Sequence, residues 1–270
     1  MNDGPDSGTT ILPAVGGNRA MPRVRAVPAV TRAIAILRLL GGNRAPLGLK
    51  AIADGLGFVP STCLHILRAL VVERLVKVDP ATKRYSLGVG MLPLARAVLE
   101  TASFPNLVQP ELDRVSALHG VTAVGVELVG LEHMIVVALS RARAPMRLHV
   151  DVGSRFPALI SATGRCVAAF GGHSWAELET RFRSLHWHNA PTWEAWRRDV
   201  ERARREGYSI DRGNYIGGVA IVAVPVLTTR GTISHGIAAI GLVDQLDQAT
   251  AVSLARDLRA AAEVVSSQTV

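Results

Sequence analysis

Two short groups of residues carry most of the hydrogen-bonding chemistry that this sequence concentrates in one place. The first runs Pro60-Ser61-Thr62 to His65 and Arg68, with Lys83 and Arg84 a little further on. Hydroxyls, an imidazole and cationic side chains of this kind bond to base edges and phosphate oxygens. The second is Ser161-Ala162-Thr163-Gly164-Arg165, small and polar residues that open or interrupt a helix. Peptide N–H groups at such a helix start can receive an anionic ligand. Close packing of one helix on another is the competing explanation for the same small residues.

Neither group brings the partners of a catalytic site. GxSxG, GxxxxGK and GxGxxG are absent, and Ser161 and Cys166 have no base nearby in sequence. His173, His186 and His188 lie close together near Trp187, yet no HxxxH and no carboxylate at ligand spacing accompanies them. Cys63 and Cys166 are the only cysteines and form no CxxC, so no metal, cofactor or disulfide is expected. The arginines between 197 and 205 are interleaved with Glu194, Asp199, Glu201 and Glu206, the pattern of a solvated helix face.

The elements that must position the first group are short helices. Val30, Ala33, Ile34 and Leu37 follow helical spacing, and Gly41-Gly42 ends the run. Leu49, Ile52, Ala53 and Leu56 repeat that spacing over about two turns. A third helix follows, with Ser61 or Thr62 as its cap and Leu64, Leu67, Leu70 and Val71 as its apolar stripe. Thr62, Cys63, His65, Ile66 and Arg68 are left on other sides. Two short helices joined by a glycine-containing turn make a helix-turn-helix, whose second helix enters the major groove. Leu75 to Val78 and Arg84 to Leu87 alternate as strands around Asp79–Lys83, a hairpin wing with a basic tip.

Charge supports a polyanion partner. The 270 residues carry a net +8, and residues 28–90 hold nine Lys and Arg against three acids. Neutralising phosphates with such a segment releases counterions, which favours nucleic acid, although a solvated basic face has the same composition.

The second group sits in a segment of different texture. Leu107 to His119 reads as a helix; Thr122 to Leu128, Met134 to Ser140 and Met146 to Val150 read as strands. Pro157 to Phe170, Trp175 to Phe182 and Thr192 to Glu206 read as helices. Val219 to Leu227 and Thr232 to Leu242 read as strands, and Asp247 to Val265 as a last helix. That order predicts a mixed α/β (α+β) domain on an antiparallel sheet.

The sequence also resembles a known family. Thr31-Arg32-Ala33 with Ile36-Leu37, Leu49-Lys50-Ala51-Ile52-Ala53, Ser61-Thr62 with Leu67 and Leu70, then Asp79 and Arg84-Tyr85-Ser86-Leu87-Gly88 resemble the DNA-binding domain of the IclR family of bacterial transcriptional regulators. His65 and Pro60 depart from it, standing where relatives carry a bulky basic residue and often Lys. Ser161 to Arg165, Gly207 to Asp211 and Gly236 to Gly241 resemble the family's GAF-like effector domain.

Four segments are expected: a Gly- and Pro-containing disordered leader (1–27), a winged helix-turn-helix (28–90), a linker helix (91–105) and, as the resemblance implies, an effector-binding domain (106–270). The polar and basic residues Arg32, Ser61, Thr62, His65, Arg68, Lys83 and Arg84 are the expected DNA contacts. The resemblance places Ala162 and Thr163 as main-chain contacts to an effector carboxylate and Asp211 as a polar pocket wall. Ile221, Ala238 and Ile240 fall where relatives that bind small keto acids have Cys or Ser, which points to a less polar acid. The expected partners are double-stranded operator DNA, a small-molecule effector and further copies of the chain, as a homodimer or homotetramer. No run of about 18 apolar residues and no signal peptide is present, so a cytoplasmic protein away from membranes is expected. Two alternatives stay open: an effector-independent DNA-binding scaffold, and an enzyme acting on small acids with a regulatory N-terminal unit.

Overall fold

The computed structural model describes residues 27–43, 45–101, 103–141 and 150–268. Most of the expected leader, and all but Val150 of the expected strand at 146–150, lie outside the described residues. The chain divides into two compact units between Leu94 and Ala95.

The first unit is built from α1 (Pro28–Gly42), β1 (Leu47–Gly48), α2 (Leu49–Leu56), α3 (Pro60–Val72), β2 (Val76–Val78) and β3 (Arg84–Leu87). Its core gathers Ile36 and Leu40 from α1, Ile52 and Ala53 from α2, and Cys63, Leu67 and Leu70 from α3, closed by Val76. Gly57 takes the left-handed conformation that ends α2 (φ 65°), and the chain then bends by 114° into α3. That is the angle at which the two helices of a helix-turn-helix cross. The wing is antiparallel, with Val76 opposite Leu87 and Val78 opposite Tyr85. Its tip is fixed by Asp79, whose carboxylate accepts the backbone N–H groups of Ala81 and Thr82 at 2.8 and 3.0 Å.

Four local expectations need correction here. On α1, Val30 and Ile34 are exposed, while Ile36 and Leu40, one turn apart, are buried with Ala33 and Leu37 beside them. The helix is apolar on two sides, and its packing on α2 and α3 chose the other one. On α3 the inner stripe is Cys63, Leu67 and Leu70, with Ile66 and Val71 at its edge, so Cys63 replaces Leu64. Neither Ser61 nor Thr62 caps this helix: Val59 is the cap residue, without a side-chain bond, and Pro60 occupies the first turn. Proline suits that position because its missing N–H would have had no helical partner. Finally, β1 lies in what the sequence presents as a turn, and it pairs Leu47 with Tyr85.

Helix α4 (Met91–Thr101) runs through the division between the units. The second unit continues with α5 (Ser103–His119), β4 (Thr122–Val129), β5 (His133–Leu139), β6 (Arg155–Pro157), α6 (Ser161–Phe170), α7 (Trp175–Phe182), α8 (Trp193–Glu206), β7 (Ser209–Arg212), β8 (Val219–Leu227), β9 (Ile233–Leu242) and α9 (Gln248–Gln268). Six strands form one antiparallel sheet in the order β6-β5-β4-β9-β8-β7. One face packs on α5 and α9 through Ala220, Val222, Val224, Ile237 and Ala239. The other face packs on α6 through Val124, Val126, Ala223 and Ala238. With both faces covered, β8 is buried along nearly its whole length, which explains its unbroken apolar run. Beyond α6, helices α7 and α8 close a third cluster around Trp196, Phe182 and Leu178.

Here too the boundaries move. Phe104-Pro105 does not end a linker helix but lies in the first turn of α5, where proline is tolerated and Phe104 is buried. Pro157 ends β6 instead of starting a helix, and α6 begins only at Ser161. The short edge strand β7 was not anticipated. Among the described residues, no single helix is long and apolar enough to cross a membrane.

Candidate functional site

The outer face of α3 presents Ser61, His65 and Arg68 at spacings of four and three residues, all exposed, with Thr62 half-buried beside them. Leu67 and Leu70 anchor the opposite side, so the polar face is held by its own core. Arg32 of α1 is exposed, and its guanidinium carbon lies 5.8 Å from the ring centre of Phe58, the residue before Val59 and α3. The fold thus brings Arg32 to the N-terminal end of that helix. Lys83, with a left-handed backbone (φ 54°), is exposed at the wing turn. Arg84 is exposed too, but one of its N–H groups donates to the Pro46 carbonyl at 3.1 Å. This tether fixes the guanidinium against the loop before β1.

The second unit holds a partly open cavity of about 60 Å³ between α6, the sheet and the loop 213–218. Ile221, Ala238 and Ile240 form its floor, Val126, Met134 and Val136 one wall, and Phe156, Tyr215 and Ile216 another. Ser161 and Thr163 supply the polar end, at the first turn of α6. The α6 start is tight: a Cβ on Gly164 would sit 2.0 Å from the Leu159 carbonyl carbon, so only glycine fits. Among the described residues, no charged side chain lines the cavity. A larger groove of about 600 Å³ lies elsewhere, along Phe170, Arg204, Arg205 and Arg259. It is open, and two of its arginines already donate to the carbonyls of Ala169 and Glu206.

Of the residues expected to meet an effector, Thr163, Ile221, Ala238 and Ile240 line the cavity, whereas Ala162 and Asp211 do not. Ala162 is packed in the core beneath α6. Asp211 is committed to the buried Arg165, at 3.6 Å from its Nη1, and accepts the Asn214 backbone N–H at 2.8 Å. Arg165 also donates to the Asn214 side-chain oxygen at 2.8 Å and lies 3.4 Å from Asp199. This network holds the loop that carries Tyr215 and Ile216. Sequence reading missed those two residues, Phe156 and the role of Arg165, because they reach the site only through the pairing of distant strands. Cys166 is fully buried, and burial pushes its thiol up to about 12, which removes it as a nucleophile at neutral pH.

Residues 29–80 match the family described as IclR helix-turn-helix domain, and residues 96–267 match Bacterial transcriptional regulator IclR C-terminal. The chain belongs to the IclR family. The glycerol operon regulatory protein of Streptomyces griseus is 30% identical over 90% of this chain and 96% of its own length. The HTH-type transcriptional repressor AllR of Salmonella typhi is 22% identical, over 88% of each chain. An IclR transcriptional regulator from Alicyclobacillus acidocaldarius superposes with a TM-score of 0.82 at 27% identity, covering 91% of this chain and all of that one. An IclR homologue from Microbacterium hydrocarbonoxydans, solved with 4-hydroxybenzoate, superposes with a TM-score of 0.72 at 19% identity, covering 88% of this chain and 98% of its own. This IclR-family chain is therefore a transcriptional regulator with a DNA-binding helix-turn-helix.

Proposed function

We propose that this regulator binds operator DNA through α3, Arg32 and the wing, under the control of a small apolar carboxylic acid held in the cavity of the second unit. The observation that carries the effector class is the cavity wall: Val, Ile, Met and Phe side chains throughout, with hydroxyls and the α6 N-terminus at one end. An apolar body is favoured there because it leaves no polar wall group unpaired. The N-terminus of α6 suits a carboxylate, since its N–H groups and dipole favour negative charge. A polyol or keto acid would bury oxygens against Ile221, Ala238 and Ile240, which offer no side-chain partner. The 4-hydroxybenzoate of the structural neighbour is of the proposed class, but at 19% identity that likeness carries the fold alone.

Segments 28–90, 91–105 and 106–270 serve in this reading as DNA-binding unit, linker and effector unit. Two-fold operators need two recognition helices, so the working form is a homodimer or homotetramer. Exposed Val30, Ile34, Leu92 and Leu94 leave the first unit with apolar surface to cover. The protein acts in the cytoplasm, where its DNA is. Acid binding changes operator affinity by a coupling free energy of about 1–3 kcal/mol.

A second reading has one observation in its favour. At about 60 Å³ the cavity is small beside ordinary ligand pockets, as an effector-independent scaffold would show. An effector the size of benzoate enters only as Tyr215 and Ile216 move outward. Calorimetric titration with hexanoate, benzoate, pyruvate and glyoxylate separates these cases. Binding of the first two and not the last two is expected; tight binding of the keto acids alone overturns the effector class, and no binding at all favours the scaffold.

A further inference from the structure

We infer that the side-chain hydroxyl of Ser161 is the specificity-determining donor to the effector's carboxylate head group. The inference rests on the acid-effector reading above and deepens it. Ser161 is 3% exposed, its Oγ is buried with no hydrogen-bond partner, and it lines the polar end of the cavity. Buried hydroxyls are ordinarily paired, so one left unpaired beside a cavity marks where a ligand acceptor would sit.

The backbone strengthens the case. Ser161 has φ 62°, a left-handed conformation that costs energy in a residue other than glycine. The surrounding chain enforces it: the Gly164 N–H donates to the Ile160 carbonyl at 2.9 Å, and Gly164 lies against the Leu159 backbone. Glycine would relieve the strain at position 161, so what serine adds there is the hydroxyl. Strain retained in this way is characteristic of ligand clamps.

The test is calorimetric titration of benzoate and benzamide into the full-length protein and into S161A and S161G, with thermal unfolding of all three proteins. Benzoate is expected to bind the wild type, with benzamide at least about tenfold weaker. Both variants are expected to lose about tenfold or more in benzoate affinity, the scale of a hydrogen bond to a charged group. S161G should melt higher than the wild type because glycine accepts this φ without strain, whereas S161A should not. Loss of affinity in a more stable protein is a result that a merely structural serine would not give. Equal benzoate binding by wild type, S161A and S161G overturns the role of Ser161 while leaving the acid-effector reading intact. Should hexanoate and benzoate both fail to bind the wild type, the acid-effector reading itself falls, and this inference with it.

Discussion

Helices α3 and α6 carry the two sets of candidate functional residues, and they do so in opposite ways. Helix α3 is two-sided: Cys63, Leu67 and Leu70 are buried, while Ser61, His65 and Arg68 face outward. Helix α6 has no outer side over most of its length, because Ser161 to Ala169 are all buried between the sheet and α8. On α3, support and function are separable side chains. On α6 the same residues pack and meet the cavity, so function there tolerates far less change.

That contrast can be broken most directly at Gly164. Gly164→Ala drives a methyl into the Leu159 backbone, so a destabilisation of about 4 kcal/mol or more is expected, the range reserved for severe steric conflict. Urea unfolding followed through the tryptophans, all of which lie in the second unit, reads this out. A variant of near-wild-type stability would mean that α6 is not pinned as described. Next in size is Leu67→Ala on the inner side of α3, expected to cost about 3 kcal/mol through the cavity it leaves. Circular dichroism should show early melting of helix in such a protein.

The outer side of α3 should behave otherwise. Arg68→Ala is expected to change stability by no more than about 0.5 kcal/mol while weakening operator binding by about 1–2 kcal/mol. Lys83→Ala should weaken all DNA sequences alike and lower the salt dependence by about one phosphate contact. Filter binding across a salt series distinguishes the two. Arg68→Ala binding DNA like the wild type would move the DNA face off α3.

The smallest effect concerns pH and the sheet face away from the cavity. His235 stacks on Phe104 with ring centres 4.0 Å apart, and burial lowers its pKa below the free value of 6.5, with Glu127 opposing in part. A base with a depressed folded pKa is protonated more readily when unfolded. Stability is therefore full above about pH 6.5 and declines as pH falls below that value toward the folded pKa. His235→Phe should keep the stack and flatten that acid slope in equilibrium unfolding. An unchanged slope would assign the acid sensitivity to other groups.

The same contrast explains what could be read from sequence. The helix-turn-helix and wing were legible because they are local: Gly57, the spacing of Ile52 with Ala53, and Arg84 to Leu87 each declare an element within a few residues. Helical spacing alone could not choose between two apolar sides of α1, nor place Cys63 inside and Leu64 at the edge, since packing of three helices decides both. In the second unit the long strands β8 and β9 were legible from their apolar runs. The cavity was only half legible. Ile221, Ala238 and Ile240 came from the family resemblance, but Tyr215 and Phe156 meet them through pairings across the sheet that leave no local trace. Asp211 was placed as a pocket wall by the family resemblance, and its partner Arg165, which commits it elsewhere, lies 46 positions earlier in the chain. The positive φ of Ser161 has no signature at all, for serine is not the residue that such a conformation selects.

Coupling of the cavity to DNA binding is the central claim, and one measurement tests it. Fluorescence anisotropy of a labelled DNA fragment flanking the protein's own gene is followed with full-length protein, at fixed salt, with and without saturating benzoate or hexanoate. The expected result is a shift in the DNA dissociation constant of about 5- to 150-fold with acid present, matching the coupling free energy of an allosteric effector, and a smaller shift with S161A. Identical binding curves with and without an acid shown by calorimetry to occupy the protein would contradict it.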